Sequence, residues 1–271
     1  MKHKGSPRVE IVATGDELIY GRIIDTNSNW LAKRLAEMGA ELRCVTMVGD
    51  DYTDIKNALL GALERDGEVV IFTGGLGPSE DDFTVDAIGR ALGKAVINDP
   101  VSFQKIKAIY ERRGTDPARG ARMTRILEGS EAIQNKVGMS VGMKLLHYEK
   151  LIFALPGVPE EMKGMFDDAV APVLELEAKH KLLGQTYGVT MVWKDFFPVY
   201  NQLQRDYPEV YIKNAATVPE TEEDRSKVKK IKVDIVIQGK TAKEAEEKMA
   251  AFIDEYQHRV DASGGGTIRR I

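Results

Sequence analysis

The stretch FTGGLGPSEDDFT, Phe72 to Thr84, brings two opposed chemistries together in one short run. Gly74, Gly75 and Gly77 let the backbone amides of a turn approach an anion closely, and a helix starting behind them adds the positive end of its dipole. Glu80, Asp81 and Asp82 would repel a bare phosphate there unless a cation lies between, and hard divalent ions accept carboxylate and phosphate oxygen together. A divalent metal ion held near Asp82, with Asp81 or Asp50 assisting, resolves the conflict. A plainer alternative makes Asp81 or Asp82 a helix N-cap and the glycines an ordinary turn. No Gly-Lys-Ser/Thr follows, so this is not a P-loop, and the G-x-G-x-x-G spacing of dinucleotide loops is missing.

Other acids stand in comparable places. Asp16 and Glu17 follow the first strand-like run in ATGDEL, and Asp50 and Asp51 follow the second in VGDD. Residues after successive strands of a parallel sheet converge on its carboxyl edge, where ligands of open α/β folds bind. ALPGVPEEM offers a further turn, whose helix opens on Pro159, Glu160 and Glu161, although acids favour helix starts for structural reasons alone. His3, His147, His180 and His258 are scattered, and one cysteine, Cys44, excludes an internal disulfide and a thiolate zinc site. Ser28, Ser79 and Thr84 lack an evident base, so water activated by a metal or carboxylate is the expected attacking group of an enzyme. No haem, flavin or zinc site is expected.

The elements that must position these residues alternate. Val9–Ala13 and Glu68–Phe72 read as buried strands and Leu42–Val48 as an alternating strand with Cys44 a small buried side chain; Leu31, Leu35 and Met38 mark a helix capped by Asn27 or Ser28, and Ile55, Leu59 and Leu63 mark another over Thr53–Arg65. Asp82–Leu92 reads as a helix, Asp99-Pro100 and Asp116-Pro117 as helix starts, and GMKLLHYEKLIFALPG as a hairpin. A helix from Pro159 carries Met162, Phe166, Val170 and Leu174, with a kink or restart expected at Pro172. This rhythm predicts a mainly parallel sheet covered on both faces, in a domain over 1–177. ELEAKHKLLGQ reads as a linker, 186–260 as a small α+β domain, and 261–271 as a flexible tail.

Composition narrows the partners. The chain has 271 residues and a formal net charge of −4, and the charges of 186–260 balance to within one, so nucleic-acid binding is not expected. The lysines of SKVKKIK fit a solvated strand face. No apolar run is long enough for a membrane span, and the polar start leaves no room for a secretion signal, which predicts a cytoplasmic protein.

VATGDELIYGRIIDTNSNWLAKRLAEMGAE, VGDD, TGGLGPSEDDFTVDAIGRALG and ALPGVPEEM resemble, in order and spacing, the amino-terminal domain of the CinA (competence/damage-inducible protein A) family. That domain has the molybdopterin-binding fold of the MoaB/MogA/MoeA type, and the likeness covers roughly residues 8 to 176. It implies a three-layer α/β/α domain with a mainly parallel sheet, followed by a small α+β domain. It also implies a nucleotide or pterin phosphate ligand and homo-oligomers. Asp50 and Asp82 match the paired functional aspartates. Thr73, Gly74, Gly75, Gly77, Pro78 and Thr84 match the phosphate-binding segment, Thr14, Gly15, Asp16, Glu17 and Asn27 the first ligand motif, and Pro156, Gly157 and Glu161 the last. In the CinA branch the resemblance implies metal-dependent hydrolysis of ADP-ribose to AMP and ribose 5-phosphate. In the molybdenum-cofactor branch it implies pterin binding or adenylyl transfer; ALPGVPEEM and the small domain that follows favour the CinA branch, so ADP-ribose hydrolysis is the expected activity and the pterin role the alternative. The nicotinamide-nucleotide amidase domain of full-length bacterial CinA has no room before Ile271, so that activity is not expected.

Overall fold

The computed structural model describes residues 6–65, 67–177, 180–217 and 221–271; His3 and the middle of the expected linker lie outside them. The chain forms two compact units, Ser6–Leu35 with Ala40–Ala178, and Lys179–Ile271 with Ala36–Gly39.

The larger unit begins β1 (Arg8–Thr14), α1 (Asp16–Ile19), α2 (Thr26–Met38), β2 (Glu41–Val48), α3 (Tyr52–Glu64), β3 (Val69–Thr73) and α4 (Thr84–Leu92). It continues through β4 (Val96–Asn98), α5 (Pro100–Arg112), a 3-10 segment Pro117–Thr124, β5 (Arg125–Leu127), β6 (Glu131–Ile133), β7 (Gly142–His147) and β8 (Lys150–Leu155). It closes with α6 (Pro159–Met165), a π turn Phe166–Val170 and α7 (Ala171–Glu177). The six-stranded sheet has the order β2-β1-β3-β8-β7-β6. β2, β1, β3 and β8 run parallel, and the β7–β8 hairpin adds the antiparallel side.

Alternation along the strands explains the layers. Val12, Val70, Phe72, Ile152 and Ala154 form one core with Ile55 and Leu59 of α3 and Val85 and Ile88 of α4. The intervening Ile11, Val69, Ile71 and Phe153 point to the opposite face and are also fully buried, as are Leu31 and Leu35 of α2 and Met162 of α6. Across that second layer Trp30 meets Phe166 edge-on at 5.4 Å. Burying such side chains contributes roughly 1.5–3 kcal/mol each. The arrangement is the expected three-layer α/β/α sandwich.

Several local readings are corrected. Asp25, rather than Asn27 or Ser28, caps α2, its carboxylate accepting from Ser28 N at 2.8 Å. Asp51, grouped with Asp50 among the strand-end acids, caps α3, its carboxylate accepting from Thr53 N and Asp54 N. Cys44 lies on the edge strand and is only partly buried. The Asp116-Pro117 start leads into 3-10 rather than α-helix. At Pro172 the helix does restart, directly after the π turn, because proline has no N–H to offer the turn before it.

The smaller unit runs β9 (Lys181–Val192), α8 (Trp193–Asp206), β10 (Tyr211–Asn214), α9 (Glu222–Arg225), β11 (Val228–Gly239), α10 (Ala242–Ala262) and β12 (Gly266–Arg270). Its antiparallel sheet has the order β10-β11-β9-β12. Ile231, Val233, Ile235 and Ile237 of β11 face α8 and α10, packing with Phe196, Leu203, Phe252 and Tyr256. Two expectations fail here. Lys181–Gln185 is strand rather than linker, paired to β11, and the tail expected to be flexible contains β12, paired to β9.

Candidate functional site

The loop from Gly74 to Phe83 leaves β3 at the carboxyl edge of the parallel sheet, between two close neighbours. On one side Gly74 N donates to Leu155 O of β8 at 3.0 Å, and on the other Thr14 Oγ1 of β1 stands 3.2 Å from Thr84 Oγ1. The glycines are needed for this packing. A Cβ on Gly74 would lie 2.3 Å from Thr14 O, on Gly75 2.1 Å from Thr84 Oγ1, and on Gly77 2.4 Å from Asp82 Oδ2. Gly75 also has φ +65°, a left-handed conformation that glycine adopts without strain.

The loop's amides are its chemically active part. Among the described residues, the N–H groups of Gly75, Leu76 and Gly77 have no acceptor in the chain. α4 starts behind them at Phe83 with no side-chain cap. Successive free amides at an uncapped helix start form a concavity of positive potential suited to an anion. The N-cap reading of Asp81 or Asp82 is thereby set aside. Asp82 instead closes the loop, its carboxylate accepting from Ser79 N at 2.9 Å.

Acids from three strand ends meet the same rim. Asp16 N donates to Asp50 Oδ2 at 3.1 Å and Asp50 N to Asp16 Oδ1 at 3.0 Å, a reciprocal clasp between the segments after β1 and β2. Burial pushes the Asp50 carboxyl above its ordinary value; the Asp16 N–H opposes this, and the charges of Asp16, Glu17 and Asp81 reinforce it. Among the described residues, however, no three carboxylates, histidines or cysteines are grouped as metal ligands. Asp50 and Asp82 each spend a carboxylate oxygen on a backbone N–H. A divalent ion here would have to draw the remaining oxygens of Asp50, Asp81 and Asp82 together with ligand phosphate, a fit for two carboxylates at most as they stand.

A cavity of about 110 Å³ adjoins the loop, lined by Thr14, Glu17, Leu18, Ile23, Ile24, Asp25, Asn27, Thr73 and Gly157 among others. Asn27 spans it, Nδ2 donating to Thr73 Oγ1 at 3.1 Å and Gly157 O at 2.8 Å. Thr73 Oγ1 donates in turn to Pro156 O at 3.2 Å. Among the described residues Asn27 Oδ1 is buried without a partner. Ile23 and Ile24 are 54% and 85% exposed, an apolar lip beside acceptors.

Thr14, Gly15, Asp16, Glu17, Asn27, Asp50, Thr73, the Gly74–Pro78 loop, Asp82, Thr84 and Gly157 therefore share one region. Glu161 has a different task in this structure. Its carboxylate accepts from Asn135 Nδ2 at 2.5 Å and packs where a Cβ on Gly138 would stand, so it braces the 135–140 loop. Arg122, which carries no sequence signal of a role here, reaches Asp82 O from the 3-10 segment at 3.5 Å.

Fold and site define an α/β domain that presents an amide-lined loop at the carboxyl edge of a parallel sheet. The family model described as "Probable molybdopterin binding domain" matches residues 10–176, and the chain belongs to that family. A protein of Aeropyrum pernix is 32% identical over 263 residues, 96% of each chain. A "competence-damage inducible protein" of Caldicellulosiruptor bescii is 38% identical over 174 residues, 64% of this chain but only 42% of that protein. The crystal structure of CinA from Thermoplasma acidophilum, a protein of unknown function, is similar with a TM-score of 0.58 and 29% identity, over 63% of this chain and 99% of that one. No helix among the described residues is long and apolar enough to cross a membrane.

Proposed function

We propose that the larger unit binds a pterin phosphate of the molybdopterin class, with the phosphate on the Gly75–Gly77 amides and the ring in the adjoining cavity. The observation that carries this reading is the run of three amides, Gly75 to Gly77, unpaired among the described residues and held beside the uncapped start of α4 by the Thr84 N bond to Gly75 O. The cavity supports it. Glu17, Asp25 and the Asn27 Oδ1 are acceptors, and an aminopyrimidinone ring presents N–H donors, while Ile23 and Ile24 suit its apolar faces. The chain's role would then be binding, or adenylyl transfer, in which an oxygen of the bound phosphate attacks the α-phosphorus of ATP and pyrophosphate leaves.

A second reading is favoured by the acid rim. Asp50, Asp81 and Asp82 could hold a divalent ion that neutralises a diphosphate, with one carboxylate orienting water, giving hydrolysis of ADP-ribose or a similar nucleotide diphosphate. The deciding experiment measures fluorescence binding of a pterin phosphate beside ADP-ribose turnover across a panel of divalent metals. Retention of the pterin phosphate with no AMP release is expected. AMP release in any metal transfers the assignment to the hydrolase, and failure of both assays refutes the site altogether.

A further inference from the structure

The acid-rimmed loop needs a counter-charge, and the chain contains one. Arg122 lies on the 3-10 segment Pro117–Thr124, fixed at its start by Asp116, whose carboxylate accepts from Ala118 N. With Arg125 it flanks the beginning of α4, lining a narrow crevice with Gly75, Leu76, Asp82 and Asp86. The two arginines differ in what they touch. Arg125 is neutralised by Asp86, Nη1 donating to both carboxylate oxygens at 3.0 and 2.9 Å. Arg122 is half-buried and, among the described residues, forms no ion pair; Nη1 makes a long bond of 3.5 Å to the Asp82 carbonyl. Among the described residues none of its donors is both buried and unpaired, so the rest of the guanidinium fork reaches solvent beside the loop.

A guanidinium presents five N–H donors in a plane matched to two phosphate oxygens. We propose that Arg122 binds the ligand's phosphate from the α4 side and supplies the positive charge that lets a loop rimmed by Glu80, Asp81 and Asp82 hold an anion. This rests on the phosphate-binding reading above. It also makes a metal ion dispensable for binding, whatever chemistry follows.

Calorimetric titration of the full chain with inorganic pyrophosphate, in the presence of EDTA, tests it. Arg122→Gln keeps a donor for the Asp82 carbonyl and loses the charge, whereas Arg122→Lys keeps the charge on a different head group. Binding by the unaltered chain is expected, with Arg122→Gln weaker by about 10- to 100-fold, as for loss of a charge-assisted hydrogen bond. Arg122→Lys should recover most of that loss, and its affinity should keep a steeper salt dependence than the glutamine variant's. A purely structural role would move both variants' melting temperatures and leave their affinities alike. Unchanged affinity in Arg122→Gln overturns the role of Arg122 while the loop reading stands. Binding by the unaltered chain that vanishes with EDTA overturns it in favour of a metal. No pyrophosphate binding with or without Mg²⁺ overturns the phosphate reading itself, and this inference with it.

Discussion

Gly75 and Gly93 give a matched pair that separates backbone strain from the packing of the loop. Both have φ +65°, but a Cβ on Gly93 meets nothing within 4 Å, whereas one on Gly75 would lie 2.1 Å from Thr84 Oγ1 and 3.1 Å from Thr84 Cβ. Alanine in a left-handed conformation costs about 1 kcal/mol, which is the whole expected effect of Gly93→Ala. Gly75→Ala bears the same strain and must also turn the Thr84 hydroxyl away from Thr14. Thr84 is fully buried and Thr14 only 4% exposed, so both hydroxyls lose a buried partner. That adds roughly 2 kcal/mol, for a total of about 3. Urea unfolding in a Trp193→Phe background, leaving Trp30 to report on the larger unit, should place Gly75→Ala about 1 M below Gly93→Ala if the urea slope is ~2 kcal/mol per molar. Equal midpoints would show that the loop does not close on Thr84, and the account of its shape would fail.

Three other substitutions probe the charges. Because the folded state holds the Asp50 proton more tightly than the unfolded chain, ionised Asp50 costs stability that is absent below the ordinary carboxylate value and grows as pH rises through its raised one. Asp50→Asn, still able to accept from Asp16 N, should therefore gain stability over the parent at pH 7 and not at pH 3; urea midpoints showing the reverse order would contradict the crowding of the rim. Arg65→Met strands Glu10, a carboxylate 1% exposed that accepts from Arg65 Nη2 at 2.6 Å and from Nε, and should cost about 2–4 kcal/mol. Glu10→Gln in the same chain should restore most of it, and a double variant no more stable than Arg65→Met would refute the pairing.

The alternation of short apolar runs with four-spaced apolar residues was enough to read the parallel core, because strands buried on both faces and helices buried on one leave different periods. Loop chemistry was legible only in kind. The glycines and acids of Phe72–Thr84 announced an anion and a charge conflict, yet Asp82 looks like a cap in sequence and in space bonds backward to Ser79. Glu161 looks like a ligand and braces a loop because Asn135, twenty-six residues before it, folds beneath it. Arg122 left no signal, since its contact with Asp82 spans forty residues and belongs to no local pattern. β12 was hidden by composition. Its glycines suggest looseness, but they permit the reversal that brings Ile268 against β9.

The π turn Phe166–Val170 has a consequence for how this chain is compared with others. Met162, Phe166, Val170 and Leu174 are buried at a constant spacing of four, which in a straight α-helix would drift by about 40° per step and spiral off the sheet. One wider coil absorbs that drift by taking up one residue more than three turns of straight α-helix hold, with no loop to show for it. Alignment with a relative whose helix is straight should therefore place its gap inside this helix, between Met165 and Ala171, and steady four-residue apolar spacing elsewhere can be read as the trace of such a hidden insertion.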